Sequence, residues 1–141
     1  MIFIIDTNRI IAALIKNSIS REIILNGSFS LIGVEFSRNE IQDHKEEILK
    51  KAKISEEEFE YILHKLCRRI SFLDNSIIEK YMSEAKTIMD TIDADDTPFI
   101  AAALGIGADI WSDDKHFEKQ SRVKVWKTSE LYQIFTDEGR G

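Results

Sequence analysis

Short apolar runs alternate along the chain with longer segments whose apolar residues recur at helical spacing. Ile2–Ile5 is an unbroken apolar run, which is typical of a strand buried on both faces of a parallel sheet. Leu31–Val34 and Ile110–Trp111 indicate further strands of the same kind. Ile70–Leu73 predicts a short edge strand, and the alternation over Val123–Trp126 predicts a last one.

Helical spacing fills the segments between these runs. In the first half of the chain the predicted helices cover Ile10–Ile15, Ile19–Leu25 and Asn39–Ala52, the second of which stops at Asn26–Gly27. A further helix begins at the capping-box pattern Ser55–Glu58. The remaining helices cover Ile77–Met89, Pro98–Leu104 with a stop at Gly105 or Gly107, and a closing segment through Leu131, Ile134 and Phe135. Strands separated by helices predict an α/β sandwich with a mainly parallel sheet.

Composition narrows the class of protein. The chain of 141 residues, 43 % of them hydrophobic, is expected to form one domain over residues 1–135, followed by a polar tail at 136–141. Cys67 is the only cysteine and no secretion signal or membrane span is visible, so we expect a cytoplasmic protein with no membrane association. The net charge of −6 disfavours passive nucleic-acid binding, but counts less against a nuclease whose excess acids surround cations.

Several acids lie where strands are predicted to end. Asp6 directly follows the first strand, and Asp113 and Asp114 follow the strand at residues 109–112. Glu40 lies near the start of the helix after the second strand. Because parallel strands place their carboxyl ends at one edge of the sheet, where ligands bind, these acids are predicted to share one rim.

A further group of acids, Asp93, Asp95 and Asp96, precedes the helix that opens at Thr97–Pro98. Carboxylates packed together repel one another and take up protons, whereas a hard cation with oxygen ligands removes that penalty. Mg²⁺ or Mn²⁺ in such a cluster can bind a phosphodiester and activate water. This arrangement predicts a metal-dependent nuclease.

Structural roles compete with this interpretation. Asp6 and Asp96 are plausible helix N-caps, and Asp113 and Asp114 plausible turn residues. Ser37 and Glu40 form a capping-box pattern of their own.

The histidines and the basic residues are given no catalytic role. His44 shares a helix face with Glu40 but is expected to be a surface or packing residue, and His64 and His116 have no motif around them. The basic run Lys50, Lys51 and Lys53 is expected to be a solvated helix end. Together with Lys45, Arg68 and Arg69 it is a candidate to flank an RNA path.

Three segments in order resemble the PIN-domain ribonucleases of the VapC-like type. The apolar strand running into Asp6–Thr7–Asn8 resembles the opening of that family. Residues 93–104 resemble its central segment of acids followed by a helix, and residues 111–117 resemble its last acidic motif, a Ser or Thr, one spacer, Asp, two spacers and Phe. The resemblance implies a three-layer α/β/α sandwich, Mg²⁺ or Mn²⁺ as cofactor and hydrolysis of RNA. It also implies a possible toxin role with an antitoxin protein as partner, and a possible homodimer.

Carried over by position, the family's four acidic site residues correspond to Asp6, Glu40, Asp96 and Asp114. Thr7 and Ser112 match hydroxyl positions near the metal, and Asp93 and Asp113 are extra acids that would serve as outer or alternate ligands.

We therefore expect a metal-dependent ribonuclease. Two alternatives stay open: an inactive module of the same fold that binds RNA or a protein partner, and a phosphoacceptor regulator of the receiver type.

Overall fold

The computed structural model describes residues 1–140 and contains one sheet of five parallel strands. The strands are β1 (Ile2–Ile5), β2 (Ser30–Val34), β3 (Ile70–Leu73), β4 (Asp109–Trp111) and β5 (Val125–Trp126). Their order in the sheet is β3-β2-β1-β4-β5, so β1 is central and β3 and β5 form the edges. The predicted strands and the parallel sheet are confirmed.

Helices connect successive strands and cover both faces of the sheet. They are α1 (Thr7–Ile15), α2 (Ile19–Asn26), α3 (Glu35–Asp43), α4 (Lys45–Ala52), α5 (Glu56–Cys67), α6 (Asn75–Met89), α7 (Thr97–Ile106) and α8 (Thr128–Arg140), with short 3₁₀ segments at Ala94–Asp96 and Lys115–Lys119.

Alternate side chains of β1 enter two separate cores. Phe3 and Ile5 pack on the face covered by α1, α2, α4, α5 and α8, whereas Ile4 packs on the face covered by α6 and α7. Successive residues of a strand point to opposite faces, so an unbroken apolar run serves a strand that is covered on both sides. The expected three-layer α/β/α sandwich is thereby confirmed.

The helix predicted over Asn39–Ala52 is wrong in its bounds. The structure has two helices there, because α3 already begins at Glu35 and the chain breaks at His44 before α4. Ser37 lies inside α3 and its hydroxyl bonds to Thr7 rather than to a backbone amide. The capping-box pattern at Ser37–Glu40 therefore caps nothing, whereas the one at Ser55–Glu58 forms as predicted.

Helix ends differ from the sequence pattern by a few residues elsewhere. Helix α6 begins at Asn75 because the Asp74 side chain accepts from the Ser76 amide. The end of helix α7, by contrast, is confirmed at one of its two predicted stops, because Ile106 is followed by the cap Gly107 with a φ of +73°. Helix α8 continues through residues 136–140 of the expected polar tail, and Gly141 lies outside the described residues. No helix in the described part of the chain has the length and apolar character that crossing a membrane requires.

Candidate active site

The carboxyl ends of β1 and β4 are tied together at the centre of the sheet. The Asp6 amide donates to the Trp111 carbonyl oxygen at 3.1 Å, which extends the strand pairing by one residue. The Ser112 hydroxyl donates to Asp6 Oδ2 at 2.7 Å and accepts from the Asp114 amide at 3.0 Å. One buried serine thus fixes the first acid relative to the loop that carries the last.

Asp6 is 4 % exposed and caps α1, with its Oδ1 accepting from the Asn8 amide at 3.4 Å. Burial raises the pKa of Asp6, and the nearby Asp114 raises it further, while the hydrogen bonds from Ser112 and Asn8 oppose the shift. Asp6 therefore both caps α1 and belongs to the acidic cluster.

Glu40 reaches the same rim from α3. The Thr7 hydroxyl donates to Glu40 Oε1 at 2.7 Å. Because that hydroxyl has one proton, the buried Ser37 hydroxyl, also 2.7 Å away, donates to Thr7 in turn. Burial raises the pKa of Glu40 against the bond from Thr7, and the charges of Asp6 and Asp95 raise it further.

Asp96 is the acid of the cluster that the other carboxylates affect most. It is 9 % exposed, it starts α7 without making a side-chain cap, and its Oδ2 has no hydrogen-bond partner within residues 1–140. Burial raises the pKa of Asp96 to about 7, helped by the surrounding carboxylates, in decreasing order Asp93, Asp114, Asp6 and Glu40. Three of the predicted acids, Asp114, Asp6 and Glu40, therefore lie near enough to the fourth, Asp96, to raise its pKa.

His116 lies among these carboxylates. Its Nδ1 is 3.1 Å from Asp93 Oδ2, 3.3 Å from Asp114 Oδ1 and 3.9 Å from Asp96 Oδ2. Asp93 and Asp114 are each held by a backbone amide, that of Asp95 at 3.0 Å and that of His116 at 2.9 Å. Donor atoms of Asp93, Asp96 and His116 lie within 4.8 Å of one another.

Asp113, by contrast, bonds away from the cluster. Its two oxygens accept from the Thr128 amide and the Thr128 hydroxyl, each at 2.8 Å, and Oδ2 lies 2.9 Å from Arg9 Nη1. The structure thus brings Asp6, Glu40, Asp96 and Asp114 together with Asp93. It gives Asp113 partners at the start of α8 instead.

The donor set fits a divalent cation. Oxygen ligands dominate, the surrounding carboxylates raise the pKa of Asp96, and the buried Asp96 Oδ2 lacks a partner among the described residues. Such atoms are uncommon in folded proteins because leaving one unpaired costs about 1–3 kcal/mol. A bound cation would satisfy this oxygen and cancel the repulsion.

The sequence matches the PIN domain family over residues 4–136. The chain belongs to the PIN-domain family. A structure with a similar fold is the crystal structure of VapBC2 from Rickettsia felis bound to a DNA fragment from their promoter. It has a TM-score of 0.69 and 17 % identity, and the match covers 90 % of this chain and 98 % of that chain. No curated protein matches the sequence. Family membership confirms the resemblance and decides against a receiver-type regulator.

Sequence reasoning missed His116 in this PIN domain. The signal available was its position two residues after Asp114, but that spacing gives no reason to expect contact with the segment around Asp93. Only the folded chain brings the loop before α7 against the 3₁₀ segment Lys115–Lys119.

Three of the six basic residues named in the sequence have partners within this PIN domain. Arg69 donates to the carbonyl oxygens of Ile24 and Gly27 at the end of α2, beside the amino end of β3 and thus at the opposite end of the sheet from the acids. Lys45 lies near Glu56 and Glu60, and Lys51 pairs with Glu47. Arg69 therefore lies away from the acidic rim, and its place along an RNA path stays a prediction.

Proposed function

We propose that this PIN domain is a metal-dependent endoribonuclease that hydrolyses RNA phosphodiester bonds with an activated water. Family membership supports nuclease activity at the general level. The observation that carries the proposal is that Asp6, Glu40 and Asp114, from three separate segments, raise the pKa of Asp96, whose buried Oδ2 has no hydrogen-bond partner among the described residues.

Each acid would have a distinct part. Asp6, Asp96 and Asp114 would hold Mg²⁺ or Mn²⁺, and Glu40 would complete the site. When bound, the cation would lower the pKa of a water molecule and stabilise negative charge on the phosphate and on the leaving oxygen.

The chain's own residues position the reactants. Ser112 holds Asp6, and Thr7 holds Glu40 Oε1, so neither carboxylate has to reorganise as charge develops. Glu40 is the candidate base, because its raised pKa makes its carboxylate a better acceptor for the proton of the attacking water.

Cleavage of a labelled RNA in the presence of Mn²⁺ tests the proposal. Asp6→Asn should lower the rate by at least about a hundredfold, because ligand loss removes several kcal/mol of charge stabilisation. The matched control is Asp43→Asn, which changes an exposed acid at the end of α3 and should retain the wild-type rate. Equal rates for wild type and Asp6→Asn would exclude the proposed mechanism.

We also propose that the nuclease acts in the cytoplasm as the toxin of a toxin–antitoxin pair, with an antitoxin protein as partner and a homodimer as its assembly. Support for a partner comes from the similar fold of VapBC2, which its crystal structure describes as bound to promoter DNA. Induced expression of the wild type should arrest bacterial growth, whereas Asp6→Asn should not. Light scattering of the purified chain would test the dimer.

A further inference from the structure

A nitrogen atom lies within a group of carboxylate oxygens at the rim of the sheet. His116 Nδ1 is 3.1 Å from Asp93 Oδ2 and 3.9 Å from Asp96 Oδ2. The two acids belong to the segment before α7, whereas His116 belongs to the 3₁₀ segment after β4. His116 is only a spacer position in the last family motif, and of the four acids assigned above this group shares only Asp96.

Two atoms of the group are buried without partners. Within residues 1–140, His116 Nδ1 and Asp96 Oδ2 are buried and make no hydrogen bond, although Asp93 Oδ2 and Asp114 Oδ1 lie near the nitrogen. Asp96 itself is 9 % exposed, so water does not compensate its oxygen well. One shared ligand would satisfy both atoms, because each has a lone pair to donate when His116 is neutral.

The spacing of the donors suits a metal ion. Bonds of about 2.1 Å to nitrogen and oxygen place neighbouring ligand atoms about 3–3.5 Å apart on one ion. The His116–Asp93 separation lies in this range, and the donors of Asp93, Asp96 and His116 all lie within 4.8 Å of one another. The His116–Asp96 separation of 3.9 Å is slightly longer than this range.

We propose that Asp93, Asp96 and His116 form a second cation position with a nitrogen ligand, beside the all-oxygen position of Asp6, Asp96 and Asp114. Imidazole is a good ligand for Fe²⁺, Ni²⁺, Cu²⁺ and Zn²⁺ and binds Mn²⁺ less strongly, whereas Mg²⁺ prefers oxygen. His116 thereby makes this position select transition metals over Mg²⁺. The inference rests on the proposed function in that the acidic cluster must hold cations, but it does not require RNA to be the substrate.

A simpler role for His116 is that of a counter-cation. A protonated imidazole among carboxylates reduces their repulsion and needs no metal. In that case a bound ion would displace His116, and no metal–nitrogen bond would form. The two roles therefore differ in whether the imidazole nitrogen is bonded to the ion.

Pulsed electron paramagnetic resonance of the full chain loaded with Mn²⁺ distinguishes His116 as a metal ligand from His116 as a counter-cation. Wild type should show the ¹⁴N coupling of a coordinated imidazole, and His116→Gln should lose it. Calorimetry should show Mn²⁺ affinity lowered at least about tenfold in His116→Gln, with Mg²⁺ affinity within about threefold of wild type. The matched control is His64→Gln, which changes an exposed histidine on α5 and should behave as wild type.

A second measurement avoids any dependence on the folding of His116→Gln. The chain has three histidines, so the double variant His44→Gln/His64→Gln has His116 as its only imidazole. That variant should keep the ¹⁴N coupling, and labelling it with ¹⁵N-histidine should replace the ¹⁴N coupling with a ¹⁵N coupling. Absence of coupling in this variant and in wild type, or its persistence in His116→Gln, overturns the inference while leaving the proposed function intact. Failure of wild type to bind Mn²⁺ at all would contradict both.

Discussion

Arg9 Nη1 and Asp113 Oδ2 lie 2.9 Å apart and join the first turn of α1 to the loop after β4. The same carboxylate accepts from the amide and hydroxyl of Thr128 at the start of α8. Asp113 and Asp114 are adjacent, yet Asp113 connects three elements of the fold while Asp114 lies among the site carboxylates. Two neighbouring acids that look interchangeable in the sequence thus have different surroundings.

Asp113→Ala should therefore reduce stability rather than metal binding. The change removes the ion-pair partner of Arg9 and the acceptor of the Thr128 amide, which should lower the free energy of unfolding by about 1–2 kcal/mol. Urea denaturation would measure this loss, and Mn²⁺ titration should give an affinity within about threefold of wild type. Asp114→Asn should show the reverse pattern, and a large loss of Mn²⁺ affinity in Asp113→Ala would identify Asp113 as a ligand.

The stability of the metal-free protein should depend on the protonation of Asp96. Its pKa is raised from 3.8 to about 7 on folding, so the folded state binds this proton more tightly than the unfolded state. The stabilisation of the folded state by this proton is fully present below pH 3.8 and is lost as the pH rises through about 7. With a chelator present, the Tm should fall between pH 5 and pH 8. Added Mn²⁺ should raise the Tm more at pH 8 than at pH 5.

Asp96→Asn is the control for this dependence. Asparagine has a similar shape and no charge in this range, so the fall in Tm between pH 5 and pH 8 should be smaller in the variant than in wild type. The variant should also lose most of the stabilisation by Mn²⁺. An identical pH dependence in both proteins would mean that Asp96 has an ordinary pKa.

The rim of acids could be predicted because it follows from local pattern and general topology. An apolar run such as Ile2–Ile5 indicates a buried parallel strand, and an acid that follows it must lie at the carboxyl edge. Asp6 and Asp114 could be placed in this way without knowing the strand order. The order adds that β1 and β4 are neighbours, which is what lets Ser112 bond to Asp6.

What the sequence could not supply depends on contacts between distant residues. Ser37 and Glu40 fit a local capping pattern, but their partner is Thr7, 30 and 33 residues away. His116 has no local motif, and its neighbour Asp93 approaches only through the packing of separate loops. Such contacts are decided by tertiary packing, which overrides local preference.

The end of α7 gives a test of local backbone geometry. Gly107 has a φ of +73° and a Cβ added there would meet no atom within 4 Å, so strain alone decides the effect of a substitution. Gly107→Ala should lower the free energy of unfolding by about 1 kcal/mol, and Gly107→Asn by less, since asparagine tolerates this conformation better. Equal stability of all three proteins in urea denaturation would contradict the left-handed conformation at this position.

Thr7→Val should separate the orientation of Glu40 from the presence of its charge. The variant keeps the shape of the side chain but removes the hydroxyl that donates to Glu40 Oε1 and accepts from the buried Ser37. Loss of both bonds should cost about 1–3 kcal/mol of stability. Loss of the bond from Thr7 should also raise the pKa of Glu40 further, because that bond favours the charged form.

RNA cleavage by Thr7→Val should then fall more at pH 6 than at pH 8, since a larger fraction of Glu40 is protonated at the lower pH. Thr7→Ser retains the hydroxyl and should keep the wild-type pH profile. If Thr7→Val also keeps that profile, Glu40 does not act as the base.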